Sequence, residues 1–333
     1  MFVLNSEIQI IRPIPLANAG AKVMRRVHEV EIEDDFRKLE TTATVKLPTT
    51  ARLVRSGEYL SEVETAKEFG VGDEIVIKLG YDGELHEEFH GFVKKVHPTT
   101  PLKIECEDAT WLLKRKNLKA SFKATTLKAL LTFILADTGI TLEAEPPGVS
   151  FTHFYFKNVS AAKALQKLKD EYGLTMYFNG FKKLFVGISS DSDDVLVKYR
   201  FGENVIDHDL IWENEDDVRL RVKAVNVKPD NTQQEVTVGD EDGEQRTLFF
   251  YDLESKGDLE RKALEEMRKL RYSGYRGSFT AFLRPVCRVG NVVEIQDPDF
   301  PERDGKYLVE KLTVTYGEGG GRRRVTPGLK LST

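Results

Sequence analysis

The pentapeptide His-Glu-Glu-Phe-His at residues 86–90 is the stretch whose residue types and spacing could do chemistry. It matches the H-E-x-x-H pattern, in which two histidines bind zinc and the glutamate acts as general base on a metal-bound water. That chemistry needs a helix, because only a helix puts residues i and i+4 on one face. Asp82-Gly83 lies just upstream and Gly91 just downstream, which leaves about one turn of room. The sequence therefore favours two surface histidines on a β-hairpin, and we predict no metal site at His86, Glu87 and His90.

Other segments that could bind ligands or metals also lack the required context. The glycine-rich segment 317–321 has no Gly-Lys-Ser/Thr ending and precedes a strand, so it is predicted to be a hairpin tip and not a phosphate loop. The acidic clusters at 191–194 and 240–242 lack EF-hand spacing and are predicted to be solvated turns. The remaining histidines have no serine or cysteine partner context: His28, His97, His153 and His208. We therefore predict no catalytic residue, no cofactor and no enzymatic activity.

Composition limits the partners of this chain. It has 333 residues, 40% hydrophobic and 31% charged, and its 49 basic against 54 acidic residues give a net charge of −5. Without a basic excess, specific nucleic-acid binding is not expected, and the basic runs 114–116 and 322–324 are interpreted as solvated loop ends. No apolar run is long enough to span a membrane. Cys106 and Cys287 are predicted to be reduced, buried thiols.

Hydrophobic patterning divides the chain into three parts. Short Val- and Ile-rich runs punctuated by Gly, Pro and Asp predict a small β-barrel domain over residues 1–115 and a second one over 201–333. Between them, residues 116–200 are predicted to form an α/β module. A long helix at about 254–273, with Asp258 as a plausible cap, is predicted to pack on the second barrel region. The fold class is therefore mainly β, of the α+β type.

The α/β module carries clear start and stop signals. Leu127, Leu130, Leu131, Ile134 and Leu135 recur at helical spacing after a capping threonine at 125 or 126, and Gly139 is predicted to end the helix. Ser160 and Gly173 are predicted to cap a second helix at its two ends. The following Asn179-Gly180 predicts a β-hairpin.

The most informative feature is an internal repeat. The segment VGDEIVIKLGYDGELHEEFHGFVKKV at 71–96 resembles VGNVVEIQDPDFPERDGKYLVEKLTV at 289–314, which lies 218 positions later. The aligned pairs are Val71 with Val289, Gly72 with Gly290, Asp73 with Asn291, Ile77 with Ile295, Phe89 with Tyr307, and Val96 with Val314. A cyclic trimer of such a chain would present six similar units around one axis, and could join a threefold partner to a sixfold one.

The order of these segments over residues 60–330 resembles the late control D, or baseplate hub, proteins of contractile phage tails. It is similar as well to the related part of type VI secretion spike proteins. The resemblance implies a homotrimer whose two barrel domains per chain form a pseudo-sixfold ring between the central spike and the hexameric tail tube. It also implies contacts with other baseplate proteins, assembly in the host bacterial cytoplasm, and a final location in the tail baseplate. Residues 1–60 match nothing, and the spike is expected to be a separate polypeptide.

Two other functions stay open at this point. A different β-rich ligand-binding module would bind a glycan or a peptide without ring symmetry. A zinc metallohydrolase would hold one zinc ion that is lost on His86→Ala. The sequence leaves open whether the host machine is a phage, a prophage remnant or a secretion apparatus.

Overall fold

A computed structural model describes residues 3–11, 22–55, 58–187, 197–230, 232–251, 253 and 255–332. It is mainly β, with 54% of residues in strands and 16% in helices, so the predicted fold class is confirmed. Within these ranges none of the sheets closes on itself. No helix among them is long and apolar enough to cross a membrane.

Several strands of the first β region alternate between more buried and more exposed side chains, as expected for strands with one face on a core. Gly80 and Gly91 allow neighbouring backbone segments to approach closely here, since a Cβ on either residue would lie within 2.2 Å of a backbone oxygen. The strands are β1 (Leu4–Ile11), β2 (Lys22–Met24), β3 (Glu29–Asp35), β4 (Thr42–Leu47), β5 (Thr50–Arg55), β6 (Glu58–Glu64), β7 (Glu74–Tyr81), β8 (Glu84–His97) and β9 (Leu102–Glu107).

The middle region has the predicted helices and hairpin. Its elements are α1 (Thr110–Arg115), β10 (Asn117–Thr126), α2 (Leu127–Leu135), β11 (Thr141–Leu142), β12 (Ser150–Ser160), α3 (Ala161–Tyr172), β13 (Thr175–Phe178) and β14 (Lys183–Gly187). Thr126 caps α2 through a hydrogen bond from the Ala129 N–H, and Ser160 caps α3 in the same way. Gly173 ends α3 with φ 55°, a left-handed conformation that glycine adopts easily. Helix α2 instead ends at Leu135, before Gly139.

The last region consists of strands and one helix, which lies between β20 and β21. Its elements are β15 (Val197–Arg200), β16 (Val205–His208), β17 (Ile211–Glu213), β18 (Leu220–Val227), β19 (Gln233–Gly239), β20 (Glu244–Tyr251), α4 (Lys256–Leu270), β21 (Gly274–Arg276), β22 (Phe279–Ala281), β23 (Val292–Gln296), β24 (Gly305–Gly317) and β25 (Gly320–Ser332). The cap of α4 is Ser255 and not Asp258, because the Ser255 hydroxyl accepts the Asp258 N–H.

One large sheet joins the first and last regions. Its strand order is β16-β22-β25-β24-β3-β4-β9-β8-β7-β1-β2, with β23 paired to β24 and β15 paired to β23. The two regions also share one hydrophobic core, which includes Ile77 from the first and Ile295 from the last. They are therefore packed as one body in a single chain.

Two further cores lie outside the large sheet. The middle region has its own core, built around Leu131 and Leu165. Helix α4 packs on the separate sheet β19-β18-β20, with Leu259 and Ala263 against Val222. The helix thus covers a three-stranded layer between β17 and β21, which lies within the predicted second β region of residues 201–333.

Candidate functional site

The residues of the H-E-x-x-H pattern lie in strand β8, which confirms the predicted hairpin. His86 is exposed and stands opposite Leu79, while His90 stands opposite Val76. A bulge between these pairs leaves Glu88 as the extra residue on β8. The strand therefore lacks the one-turn spacing that would place both imidazoles on one zinc ion.

His90 is held by its own contacts rather than presented to solvent. Its ring stacks on Phe181 with centroids 3.6 Å apart, and its Nε2 lies 2.9 Å from the Glu74 carboxylate. Phe181 belongs to the β13–β14 hairpin, so the stack ties the middle region to β8. In the part of the chain that is described, no group of three or more His, Cys, Asp or Glu residues could hold a metal ion.

The second glutamate of the pattern makes an ion pair that the sequence did not indicate. Glu88 Oε1 lies 2.6 Å from Arg323 Nη2, and the two side chains are 4% and 0% exposed. Arg323 also donates to the carbonyl oxygens of Cys287 at 2.9 Å and Leu283 at 3.1 Å. The interpretation of run 322–324 as a solvated loop end is therefore wrong for Arg323, because the strand alternation of β25 turns it into the core. This pair joins the first β region to the last.

Two carboxyl groups, those of buried Asp108 and half-buried Asp34, lie beside the junction of these regions. Burial raises the pKa of Asp34 to about 6 against a hydrogen bond from the Thr41 hydroxyl, and raises the pKa of Asp108 to about 7 against hydrogen bonds from Thr110 and Thr41. The Asp108 carboxylate accepts the backbone N–H groups of Thr41 and Thr110. These contacts pin the turn after β3 to the end of β9, which is a structural role.

Lys169 of α3 attaches the middle region to the turn after β3. Its Nζ donates to the carbonyl oxygens of Phe36, Lys38 and Met176 at 2.5, 3.2 and 2.9 Å. Burial lowers its pKa to about 8. Sequence patterning missed Lys169 because a lysine among lysines on an amphipathic helix carries no sign of burial.

The repeated segments have the same local structure. The turn before each first strand makes two matching backbone hydrogen bonds: Gly72 N–H to Val93 O and Val93 N–H to Asp73 O in the first copy, Gly290 N–H to Val309 O and Val309 N–H to Asn291 O in the second, all between 2.8 and 3.0 Å. Gly72 and Gly290 have φ of 92° and 85°, a backbone region that favours glycine. A bulge follows in both copies, between Val93 and Lys95 and between Val309 and Lys311.

These matches correct the sequence alignment in the second strand of the unit. Val93 takes the place of Val309, so the second copy is two residues shorter between its strands, and Val96 corresponds to Leu312 and not to Val314. A shift of two residues keeps every side chain on the same face of the sheet. The alternating pattern therefore could not reveal it.

The equivalence extends over four strands in each copy. One row of directly opposed residues crosses β3, β4, β9 and β8, and its counterpart crosses β16, β22, β25 and β24. The rows are Val30, Val45, Ile104 and Val96 in the first copy, and His208, Phe279, Val325 and Leu312 in the second. Residues 208–213 of β16 and β17 thus take the place of residues 30–35 of β3.

The two copies are joined edge to edge by β3 and β24. The strands are antiparallel, with Lys311 opposite Asp35, Leu312 opposite Asp34 and Tyr316 opposite Val30. The Phe36 N–H donates to the Glu310 carbonyl at 2.8 Å, which continues the ladder to the bulge. One copy thus adds to the next through backbone hydrogen bonds, which can be repeated between chains.

The other predicted candidates behave as ordinary structural residues. Cys106 and Cys287 are free and buried, as predicted. The segment 317–321 forms the β24–β25 hairpin turn, also as predicted. Asp240 and Asp242 pair with Arg271 and Arg219. The cluster at 191–194 lies outside the described residues.

The remaining histidines are not brought together. His97 lies 3.1 Å from Glu105, and His208 stacks on Phe201 with centroids 4.6 Å apart. His28 lies between β2 and β3, and His153 lies in β12.

Solved structures share this fold. The 43 kDa tail protein of prophage MuSo2 from Shewanella oneidensis aligns over 99% of both chains with a TM-score of 0.64 and 13% identity. A tail protein from Neisseria meningitidis aligns over 98% of this chain and 96% of its own, with a TM-score of 0.61 and 13% identity. An Escherichia coli component of the type VI secretion system aligns over 98% and 77%, with a TM-score of 0.59 and 10% identity.

Matches are confined to structure, since no protein-family model and no curated protein sequence matches the chain. The E. coli component is itself described as structurally similar to the T4 bacteriophage tail proteins gp27 and gp5. The resemblance seen in the order of the sequence segments is therefore confirmed at the level of the fold, and this chain has the fold of phage tail proteins and of a type VI secretion component.

Proposed function

We propose that this protein is a baseplate hub of a contractile phage tail or phage-like injection machine. Three chains form a ring of six similar four-stranded units, which adapts a central spike to a hexameric tail tube. The observation that carries the proposal is the structural duplication, in which two copies with equal hydrogen bonds, bulges and strand rows are joined edge to edge. The shared fold with tail proteins supports it.

Symmetry explains why a hub would need the unit twice. A closed ring of three chains can match a threefold spike directly, while its six units can match a sixfold tube. In this arrangement residues 1–115 and 201–333 supply the ring units, and residues 116–200 lie outside or between them. The stack of His90 on Phe181 and the Lys169 contacts attach the middle region to this frame.

The partners follow from that position. They are two further copies of the chain, the tail tube protein, the central spike protein and neighbouring baseplate proteins. The protein would assemble in the host bacterial cytoplasm and end in the tail baseplate. Its work is mechanical, and no catalytic step is assigned to His86, Glu87 or His90.

Native mass spectrometry across a concentration series, with zinc added in one arm, tests this proposal. The expected species is three times 37.8 kDa without stoichiometric zinc. A dimer or a monomer throughout the series would contradict the hub. A zinc-loaded monomer that loses its metal on His86→Ala would favour the hydrolase, and a metal-free monomer that binds glycan or peptide would favour the β-rich binding module.

A further inference from the structure

The join between β3 and β24 shows which edges this fold uses to add one unit to the next. Along it, residues 30–35 of the first copy pair with residues 311–316 of the second. The outward-facing side chains include Lys311 opposite Asp35, a pair of opposite charges. The join inside one chain is therefore a template for a join between chains.

Each edge of this template has a counterpart elsewhere in the same chain. By the matched rows, residues 208–213 of β16 and β17 correspond to residues 30–35. The pairing of β17 with β21 gives the same correspondence independently, because Ile211 stands opposite Arg276 as Glu33 stands opposite Thr42. By the matched bulges, residues 95–97 at the end of β8 correspond to residues 311–313 of β24.

Both counterpart edges lack a strand partner among the described residues. Strand β16 pairs with β22 and makes one isolated bridge from Val205 to Phe201, while β17 pairs only with β21. Strand β8 pairs with β7 up to Phe92 and with β9 on its other side over Phe92 to His97, which leaves the β7 side of residues 95–97 without a strand. In the second copy the same place on β24 is occupied by β3.

The two edges carry opposite charges at one position, where Glu213 also lies 3.3 Å from Arg276 of its own chain. The register of the template sets Lys95 opposite Glu213, which repeats the opposite charges of Lys311 and Asp35. Lys95 and Glu213 are both exposed. Ile211 is 67% exposed, and the register sets it opposite His97.

We infer that the edge formed by β16 and β17 of one chain pairs antiparallel with the end of β8 of the next copy, in the register Lys95 with Glu213, Val96 with Trp212 and His97 with Ile211. The inference rests on the proposed ring. It names the contact that closes the ring: the chain supplies both edges, so each copy binds its neighbour head to tail, and three such joins alternate with three β3–β24 joins.

Pro98 limits the length of this pairing. It stands where Val314 stands in the template, and it has no N–H to donate. Proline is tolerated at a sheet edge, where it also blunts unwanted pairing. The join between chains is thus shorter than the one within the chain. Its formation depends on protein concentration, whereas the β3–β24 join within one chain does not.

Disulfide cross-linking tests the register. In the template, Thr313 and Glu33 face each other between hydrogen-bonded pairs, where Cα atoms of antiparallel strands lie about 4.5 Å apart. That spacing suits a disulfide. The matching pair between chains is His97→Cys with Ile211→Cys, and Glu33→Cys with Thr313→Cys is the matched control within one chain. The native thiols are buried and give the background in the parent protein.

The expected outcomes differ between variants. On mild oxidation the His97→Cys, Ile211→Cys double variant gives covalent dimers and closed trimers under non-reducing conditions. A mixture of the two single variants stops at dimers, because each chain then carries one new thiol. The control pair closes within the chain and leaves the mass of the monomer unchanged.

Other outcomes overturn the inference and separate it from the proposed function. If native mass spectra show the trimer and the control pair closes, but the double variant gives no link between chains, the register is wrong while the hub stands. A link between 97 and 211 inside one chain overturns it as well. If neither trimer nor link forms at any concentration, the ring itself is contradicted.

Discussion

At the scale of single residues, the pattern that looked most chemical is used for packing. The strand at residues 84–97 gives His90 to an aromatic stack and Glu88 to a buried ion pair, while His86 stays exposed. The same letters in a helix would have pointed to one metal. Secondary structure therefore decides the meaning of this motif, and flanking glycines were enough to predict the strand.

Arg323 gives the sharpest prediction at this scale. Replacing it by methionine leaves the Glu88 carboxylate buried without its partner, which typically costs about 3–5 kcal/mol. We expect Arg323→Met to lower the free energy of unfolding by that amount in urea denaturation. The matched control is Arg324→Met, next in the chain, whose side chain is 58% exposed and pairs with Asp209 at the surface.

The control should cost no more than about 1 kcal/mol, as surface ion pairs do. Equal losses in the two variants would contradict the assignment of Arg323 to the core. A second variant, Glu88→Gln, separates charge from size: it keeps the volume but leaves the guanidinium uncompensated. It should also be clearly destabilised.

At the scale of elements, the strands and helices were predicted better than their registers. Capping residues such as Thr126, Ser160 and Gly173 act locally, so they can be read from a few neighbouring letters. The shift of two residues in the second strand of the repeat, between Val96 and Leu312, leaves the alternation unchanged. It became visible only through backbone hydrogen bonds and bulges.

The join between β3 and β24 should respond to pH through Asp34. Its pKa is raised from 3.8 to about 6 by burial, so between these values the folded protein holds a proton that the unfolded chain releases. The contribution of Asp34 to stability therefore falls as pH rises through this window, while Asp108, whose pKa is raised to about 7, extends the fall in the parent protein to higher pH. Asp34→Asn cannot ionise, so its stability should fall less.

The size of this difference is about 1–3 kcal/mol, from the shift in pKa discounted for partial exposure. Urea unfolding at several pH values between 4 and 7.5 measures it. Outward-facing Glu33→Gln, next in the same strand, controls for the loss of a negative charge. Parallel pH profiles for the parent protein and Asp34→Asn would show that the carboxyl group at the join does not carry the effect.

At the scale of the whole molecule, the sequence predicted the mainly β fold class and the duplication. It did not show that both copies share one core and one sheet through β3 and β24, because strand pairing across more than two hundred residues leaves no local pattern. It did place α4 on strands of the last region, where Leu259 and Ala263 cover the sheet β19-β18-β20.

Among the described residues, the duplication also leaves unpaired sheet edges in a single copy of the chain. Two equivalent units joined edge to edge in one chain leave an unpaired edge at each end. A cyclic oligomer is the ordinary way to pair such edges. The β16–β17 edge with Ile211 and the end of β8 with Lys95 are the places where the series is interrupted in a single copy. In the proposed ring, the sheet inside one chain would continue into the sheet of the next chain.

The decisive experiment on the proposed ring is a cryo-electron microscopy map of the purified assembly, reconstructed with threefold symmetry only. We expect six four-stranded units at one radius, alternating between residues 29–107 and residues 205–325, with β3–β24 joins inside chains and β16–β17 to β8 joins between them. A particle in which the two copies lie at different radii, or in which the neighbouring chains meet through other surfaces without sixfold resemblance, would contradict it.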